Sequence, residues 1–435
     1  MELPVRWLGR ARVAAWPVLE LLISVGVQVL LTPVLLHRLG AQQFGVWILV
    51  QTTLLAAAAL SFGASAGLLP VLSATLHRGD IAAARAALRW LFRRVAAVAG
   101  SLLVGLVIAA SCGWIPGMPG WPAATLWPLA LATLAWMTAT ELDNATASAL
   151  KAQGRFGATA QSEVAARLAQ LALIAWWVDA GSSALVPIVL SLLVTVVKFF
   201  VRLAAVHRQW PTAFTSAAGG GVVRELAVTG LWVWVGALGS LAFNAFDRWF
   251  VGAWLGASTL AAYAICTQLT QLPHAVVAAA GQPLVPWAAR NAFQERTAAG
   301  AAGMKLLAWS TALAALPSLL LLPLLEPALG LWISPAFAQE HLPLAQGLTI
   351  AFLLLCLNVP GYFLLLGMGQ ARFATILISI SGLLFVAGAL TLPRDLSTFV
   401  ILKGAFAALA LGLPVGCALR MKAQQRAAPA GGPAP

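Results

Sequence analysis

Stretches of about 20 apolar residues recur along the whole chain, and nearly all of the charge is gathered into the short segments between them. About 20 residues of α-helix cross a hydrocarbon core. Lipid cannot hydrogen-bond the backbone, so a helix is the structure such a run must take. The pattern predicts an all-α polytopic membrane protein with spans at 13–36, 45–70, 95–114, 122–142, 159–178, 184–206, 226–247, 256–284, 304–325, 343–367, 373–392 and 397–419. Composition agrees: 61% of residues are hydrophobic and 9% charged, whereas a water-soluble surface needs roughly 25% charged residues.

The formal net charge of +13 raises nucleic acid as a partner, but the basic residues sit at span ends rather than on one face, so membrane lipid is the partner they fit. Of the 26 Lys and Arg residues, 22 fall at the N-terminus, in alternate loops and in the tail. Both termini are therefore expected on the cytoplasmic side of an inner (plasma) membrane. Arg38, Arg248, Arg394 and Lys403 are left for the opposite side. The first run is too long for a signal core, so it is expected to remain. The four cysteines stand singly, with no CxxC and no neighbouring His, which excludes a disulfide framework and a zinc site. There is no GxxxxGK[ST], so no ATP-binding P-loop, and no cofactor is implied.

Twelve spans divide into six and six. The polar segment HRQWPTAFTSAAGGGVVRE at 207–225 lies between them. The expected organisation is an N-terminal lobe at 1–208, a cytoplasmic linker at 209–225, a C-terminal lobe at 226–420 and a disordered tail at 421–435. A shift of 216 places Leu39-Gly40-Ala41 on Leu255-Gly256-Ala257, Trp47 on Tyr263 and Ala158-Thr159 on Ala374-Thr375. The halves thus read as pseudo-repeats around a central cavity, an arrangement found in transporters.

LTPVLLHRLGAQQFGVWILVQTTLL (31–55), SFGASAGLLPVLSATLHRGD (61–80), KAQGRFGATAQSEVAARL (151–168) and FNAFDRWFVGAWLGASTLAAYAICTQLTQLP (243–273) resemble segments of the polysaccharide, or lipid-linked oligosaccharide, flippases. These belong to the multidrug/oligosaccharidyl-lipid/polysaccharide exporter superfamily. The resemblance implies a bacterial inner-membrane protein that moves an undecaprenyl-pyrophosphate-linked glycan to the periplasmic leaflet by alternating access, alongside other polysaccharide-assembly proteins. In that setting Gly40 is expected to stop the first helix, with Phe44-Gly45 starting the second.

Charge inside a span requires a partner or a wet cavity. Glu20 could bind a coupling ion or pair with Arg12. Asp247 and Arg248, expected near the outer end of the seventh span, could form a local pair, or Arg248 could meet a pyrophosphate through its planar fork. Arg167, Lys198 and Arg202 could anchor in headgroups or reach substrate, and Arg38 could attract an exiting anion or cap the first helix. His274, with Gln268, Gln271 and Gln282, could line a cavity or bond between helices. Arg85 and Arg89, in 77–94, share a helical face that suits an interfacial helix on anionic lipid.

A multidrug or small-cation antiporter of the same superfamily is the alternative function. Mostly basic charges at depth favour an anionic substrate over that alternative. A membrane glycan polymerase or ligase is a third class, against which the short, acid-poor outer loops argue.

Overall fold

The structure is a computed structural model describing residues 3–57, 61, 64–77, 79–112, 123–210, 223–224, 226–227, 238–239, 241–282, 284–291 and 296–426; of residues 3–22 it describes the backbone alone. Every regular element among these is helical. In chain order they are α1 (Leu3–Leu54), α2 (Ala64–His77), α3 (Ile81–Ser111), α4 (Ala123–Ala152), α5 (Phe156–Trp177) and α6 (Leu185–Gln209). A π-helical turn at Ala242–Phe246 then leads into α7 (Asp247–Leu255), α8 (Ala257–Thr270), α9 (Leu272–Gly281) and α10 (Leu284–Asn291). Last come α11 (Arg296–Leu321), α12 (Leu325–Trp332), α13 (Pro335–Gly367), α14 (Ala371–Thr391), α15 (Leu396–Ala410) and α16 (Gly412–Arg426).

Seven stretches among the described residues are long and apolar enough to cross a membrane. On α3 the side chains of Leu102, Leu103, Val104, Val107 and Ile108 all stand exposed. A contiguous apolar face of that kind is stable only against lipid. The chain is therefore a multi-pass, all-α membrane protein, as its hydropathy requires.

Two compact units form: Met1–Val235 with Gly252–Ala261, and Gly236–Val251 with Ala262–Pro435. In the first, α4 packs along α6 and α2, and α5 along α1. In the second, α13 is the central helix, contacted by α11, α15 and α16. The linker expected at 209–225 falls largely outside the described residues; of the tail expected as disordered at 421–435, residues 421–426 are instead the last turns of α16, and the rest lies outside the described residues.

Gly40 stops the first helix as expected: with φ 75° and ψ 164° it is non-helical, and α1 is two helices that meet at this kink. Other boundaries differ from expectation. The expected spans 45–70 and 256–284 are each interrupted, at the Leu55–Ala56 turn and at Gln271. Both interruptions and both left-handed glycines, Gly40 and Gly256, are 216 residues apart, the same offset as the sequence matches. The fourth span runs ten residues beyond 142, to Ala152. The basic segment 77–94 is not a separate interfacial helix. Its Ala84, Ala87, Leu88 and Leu91 are buried with residues of α2 and α4, so it forms the first turns of α3.

One close approach fixes a glycine. A Cβ on Gly45 would lie 1.7 Å from the carbonyl oxygen of Ala257, where no flexible side chain can give way. Gly45→Ala is expected to destabilise the protein by at least the about 1–3 kcal/mol typical of overpacking. The check is the yield and melting midpoint of detergent-solubilised protein.

Candidate functional site

Polar residues recur at helical spacing on three successive apolar helices of the first unit. On α4 they are Trp136, Thr140, Asp143 and Lys151; on α5 Glu163, Arg167 and Gln170; on α6 Ser191, Thr195, Lys198 and Arg202. Steps of three, four or eight residues keep each set on one helical face. The three faces, with Gln51 at the end of α1, enclose a cavity of about 360 Å³.

An ion-pair network holds its wall. Arg202 contacts Asp143 Oδ2 through Nη1 at 2.7 Å and Glu163 Oε2 through Nη2 at 3.2 Å. It also donates to the Thr159 carbonyl and the Ser162 hydroxyl, so all three guanidinium nitrogens are engaged. Lys198 lies 3.0 Å from Asp143 and 2.6 Å from Glu163. Arg167 closes the network on Glu163 Oε1 at 3.1 Å, with its side chain 38% exposed. Gln170 donates to Ser191, and the Trp136 indole to Thr195. Lys151, Arg167, Lys198 and Arg202 face only Asp143 and Glu163 in the lining, which leaves a positive surplus. Lys198 and Arg202 are thus wall-forming partners of buried acids rather than headgroup anchors.

In the second unit Asp247 is fully buried. Its Oδ2 lies 2.9 Å from Lys403 Nζ and accepts the Tyr263 hydroxyl at 2.7 Å. Lys403 also donates to the Phe243 carbonyl at 2.9 Å and lies 4.2 Å from the Phe243 ring centroid. That carbonyl belongs to the π-helical turn, where the normal i to i−4 ladder is interrupted and an oxygen can serve a side chain. Lys403, counted in the sequence among outer-side charges, is therefore a buried partner two turns into α15. Asp247 and Arg248 open α7, directly after the π-helical turn. Their local pair does not form; Arg248 instead reaches Gln271 at 3.5 Å.

Beside this triad lies a second cavity of about 220 Å³, lined by aromatic residues with His274, Asn244 and Asn358 among them. Asn358 donates to the Ala407 carbonyl while its buried Oδ1 has no partner. Gln282 is exposed and outside this lining.

Arg38 is engaged elsewhere. It donates to the Ala175 and Val178 carbonyls at the end of α5, at 2.5 and 2.7 Å, so it caps α5 and not its own helix. Glu20 is in α1, but its side chain is outside the described residues. The expected set therefore separates: Arg167 belongs to the first cavity, His274 to the second, and Asp247 and Arg248 to the region beside the second. Asp143 was missed because the helix boundary was set at 142 and the next segment read as a loop; Glu163 fell inside the expected span 159–178 and was not singled out. Their helical phase with Lys198 and Arg202 was the available signal.

No family model matches the chain, and no curated protein matches it in sequence. Solved structures do match its fold. A structure of the inward-facing conformation of a multidrug resistance MATE family transporter of the MOP superfamily aligns with TM-score 0.75 at 14% identity, over 95% of this chain and 99% of that one. MATE in complex with MaL6 aligns at 0.64 and 14%, over 96% of each chain. The outward-facing conformation of a multidrug resistance MATE family transporter aligns at 0.63 and 16%, over 95% of this chain and 97% of that one. At such identities the likeness is one of fold.

Proposed function

We propose that this chain is a MATE-type secondary transporter of the inner membrane, with both termini cytoplasmic, working by alternating access rather than by catalysis. The observation that carries the reading is a fold likeness along nearly the whole length of chains described as multidrug transporters in two conformations. Charged cavity walls at membrane depth accord with it, since ionisable residues held inside the bilayer mark transport pathways. On this reading the solute is a diffusible amphipathic compound exchanged for a cation.

A second reading rests on one observation of this chain. The cavity between α4, α5 and α6 carries more positive than negative charge, which suits an anionic headgroup better than a cationic drug. The solute would then be an undecaprenyl-pyrophosphate-linked oligosaccharide, with Arg167 as the most accessible contact and Arg248, Asp247 and His274 as candidates in the second unit.

Gene deletion separates the two. Raised sensitivity to organic cations, with unchanged lipid-linked intermediates, is the result expected of a drug exporter. Build-up of a complete lipid-linked glycan, with loss of surface polysaccharide, assigns the flippase reading. Neither phenotype, together with no solute movement by purified protein in liposomes, would overturn the transporter proposal.

A further inference from the structure

The cavity beside the Asp247–Lys403 pair lies wholly within the second unit. Two aromatic pairs line it: Phe243 with Phe406, ring centroids 5.1 Å apart, and Tyr362 with Phe363, 5.4 Å apart. Phe243 and Asn244 reach the lining from the π-helical turn Ala242–Phe246, a distortion that recurs at functional sites. The wall around Phe363 is closely fitted. Val277, Ala314, Cys356 and Val359 are buried together with Phe363 against them, and a Cβ on Gly281 would lie 2.7 Å from the Phe363 ring. Loose packing therefore does not account for the space.

One polar group of this lining is left for a ligand. Asn358 is 3% exposed, and its Nδ2 donates to the Ala407 carbonyl at 3.0 Å. That bond fixes the amide orientation, because an amide oxygen cannot donate to a carbonyl. Oδ1 is therefore the free end, a buried acceptor with no hydrogen-bond partner. Leaving such a group unpaired is costly, and an N–H or O–H entering the cavity would satisfy it. Asn244, on the same lining, is exposed, so the cavity is reached from that side.

Size and charge narrow the occupant. A cavity of about 150 Å³ holds one benzene ring, and drug-sized ligands need about 300 Å³ or more. A volume of about 220 Å³ suits one ring or two fused rings. The lining has no Lys, Arg, Asp or Glu among the described residues. The Phe243 ring already faces the Lys403 ammonium at 4.2 Å, which makes it a poor host for a second cation. Aromatic walls gain most from an aromatic guest, through stacked or edge-on contacts. We infer that this cavity binds a neutral aromatic compound of one or two rings with an N–H or O–H donor, of the indole or phenol class, and that Asn358 Oδ1 accepts its hydrogen bond. The site goes beyond the transport reading, since binding there needs no transported solute.

The test uses full-length protein in detergent and follows 5-fluoroindole and 1-methyl-5-fluoroindole by 19F NMR. The two probes share their rings and differ in the donor, and empty micelles give the partitioning background. The expected result is saturable 5-fluoroindole binding above that background, about 5-fold weaker for the methylated probe. Ala278 lines the cavity, so Ala278→Leu fills it and is expected to abolish binding. Asn358→Leu is expected to bring the two probes to equal affinity. No binding above empty micelles, equal affinities in the wild type, or binding that a folded Ala278→Leu leaves intact overturns the site. A preference for 5-fluoroindole that persists in a folded Asn358→Leu overturns it too, because the methyl group's bulk then explains the difference. Should either variant fail to fold, the probe pair on the wild type still decides. Neither probe reports on transport, so a failed transport assay leaves this result intact, and the reverse holds.

Discussion

Lys403→Ala is expected to cost about 3–5 kcal/mol of stability, because it leaves Asp247 charged and buried with no cation. Lys403 is 1% exposed and Asp247 fully buried, and the remaining bond from the Tyr263 hydroxyl supplies a dipole but no charge. The hydrogen bond from the ammonium to the Phe243 carbonyl is lost as well. Thermal unfolding of the detergent-solubilised protein measures the effect. Lys403→Met combined with Asp247→Leu removes both charges together and is expected to recover most of the loss. A double variant no more stable than Lys403→Ala would show that the packing of the lysine stem, and not the charge, holds this region.

The second large effect is expected at Arg202. Arg202→Met removes two ion pairs and the bonds to Thr159 and Ser162. Lys198 stays within 3.0 Å of Asp143 and 2.6 Å of Glu163, so neither acid is left entirely uncompensated. The expected cost is therefore at the lower end for a broken buried pair, about 3 kcal/mol. Adding Asp143→Asn should return part of it, since one lysine then faces one acid. A double-mutant cycle on melting midpoints isolates the coupling. Additive losses would mean that Arg202 and Asp143 do not act as a pair.

Legibility differed sharply between fold and site. Hydropathy announces membrane class because bilayer thickness sets run length and lipid penalises any unpaired backbone group. The 216-residue offset was also readable, and the paired glycines Gly40 and Gly256 carry it into backbone geometry. Helix interruptions were not: a broken span such as 256–270 followed by 272–281 is as apolar as an unbroken one. Polar partners were legible only as types. Arg167, Asp247, Arg248 and His274 stood out as costly residues, but Lys403 was counted among the charges of the opposite side and Glu141 was not singled out.

The sequence alone thus determined the solvent, the secondary structure and the approximate spans, all of which depend on local composition averaged over about 20 residues. Tertiary structure decided which charges meet. Asp247 and Lys403 are 156 positions apart along the chain, and Asp143 and Arg202 are 59 apart. Contact at that separation is fixed by helix packing and rotation, to which hydropathy is blind, and it alone distinguishes an acid held by two cations, such as Asp143, from one with no ion pair among the described residues, such as Glu141.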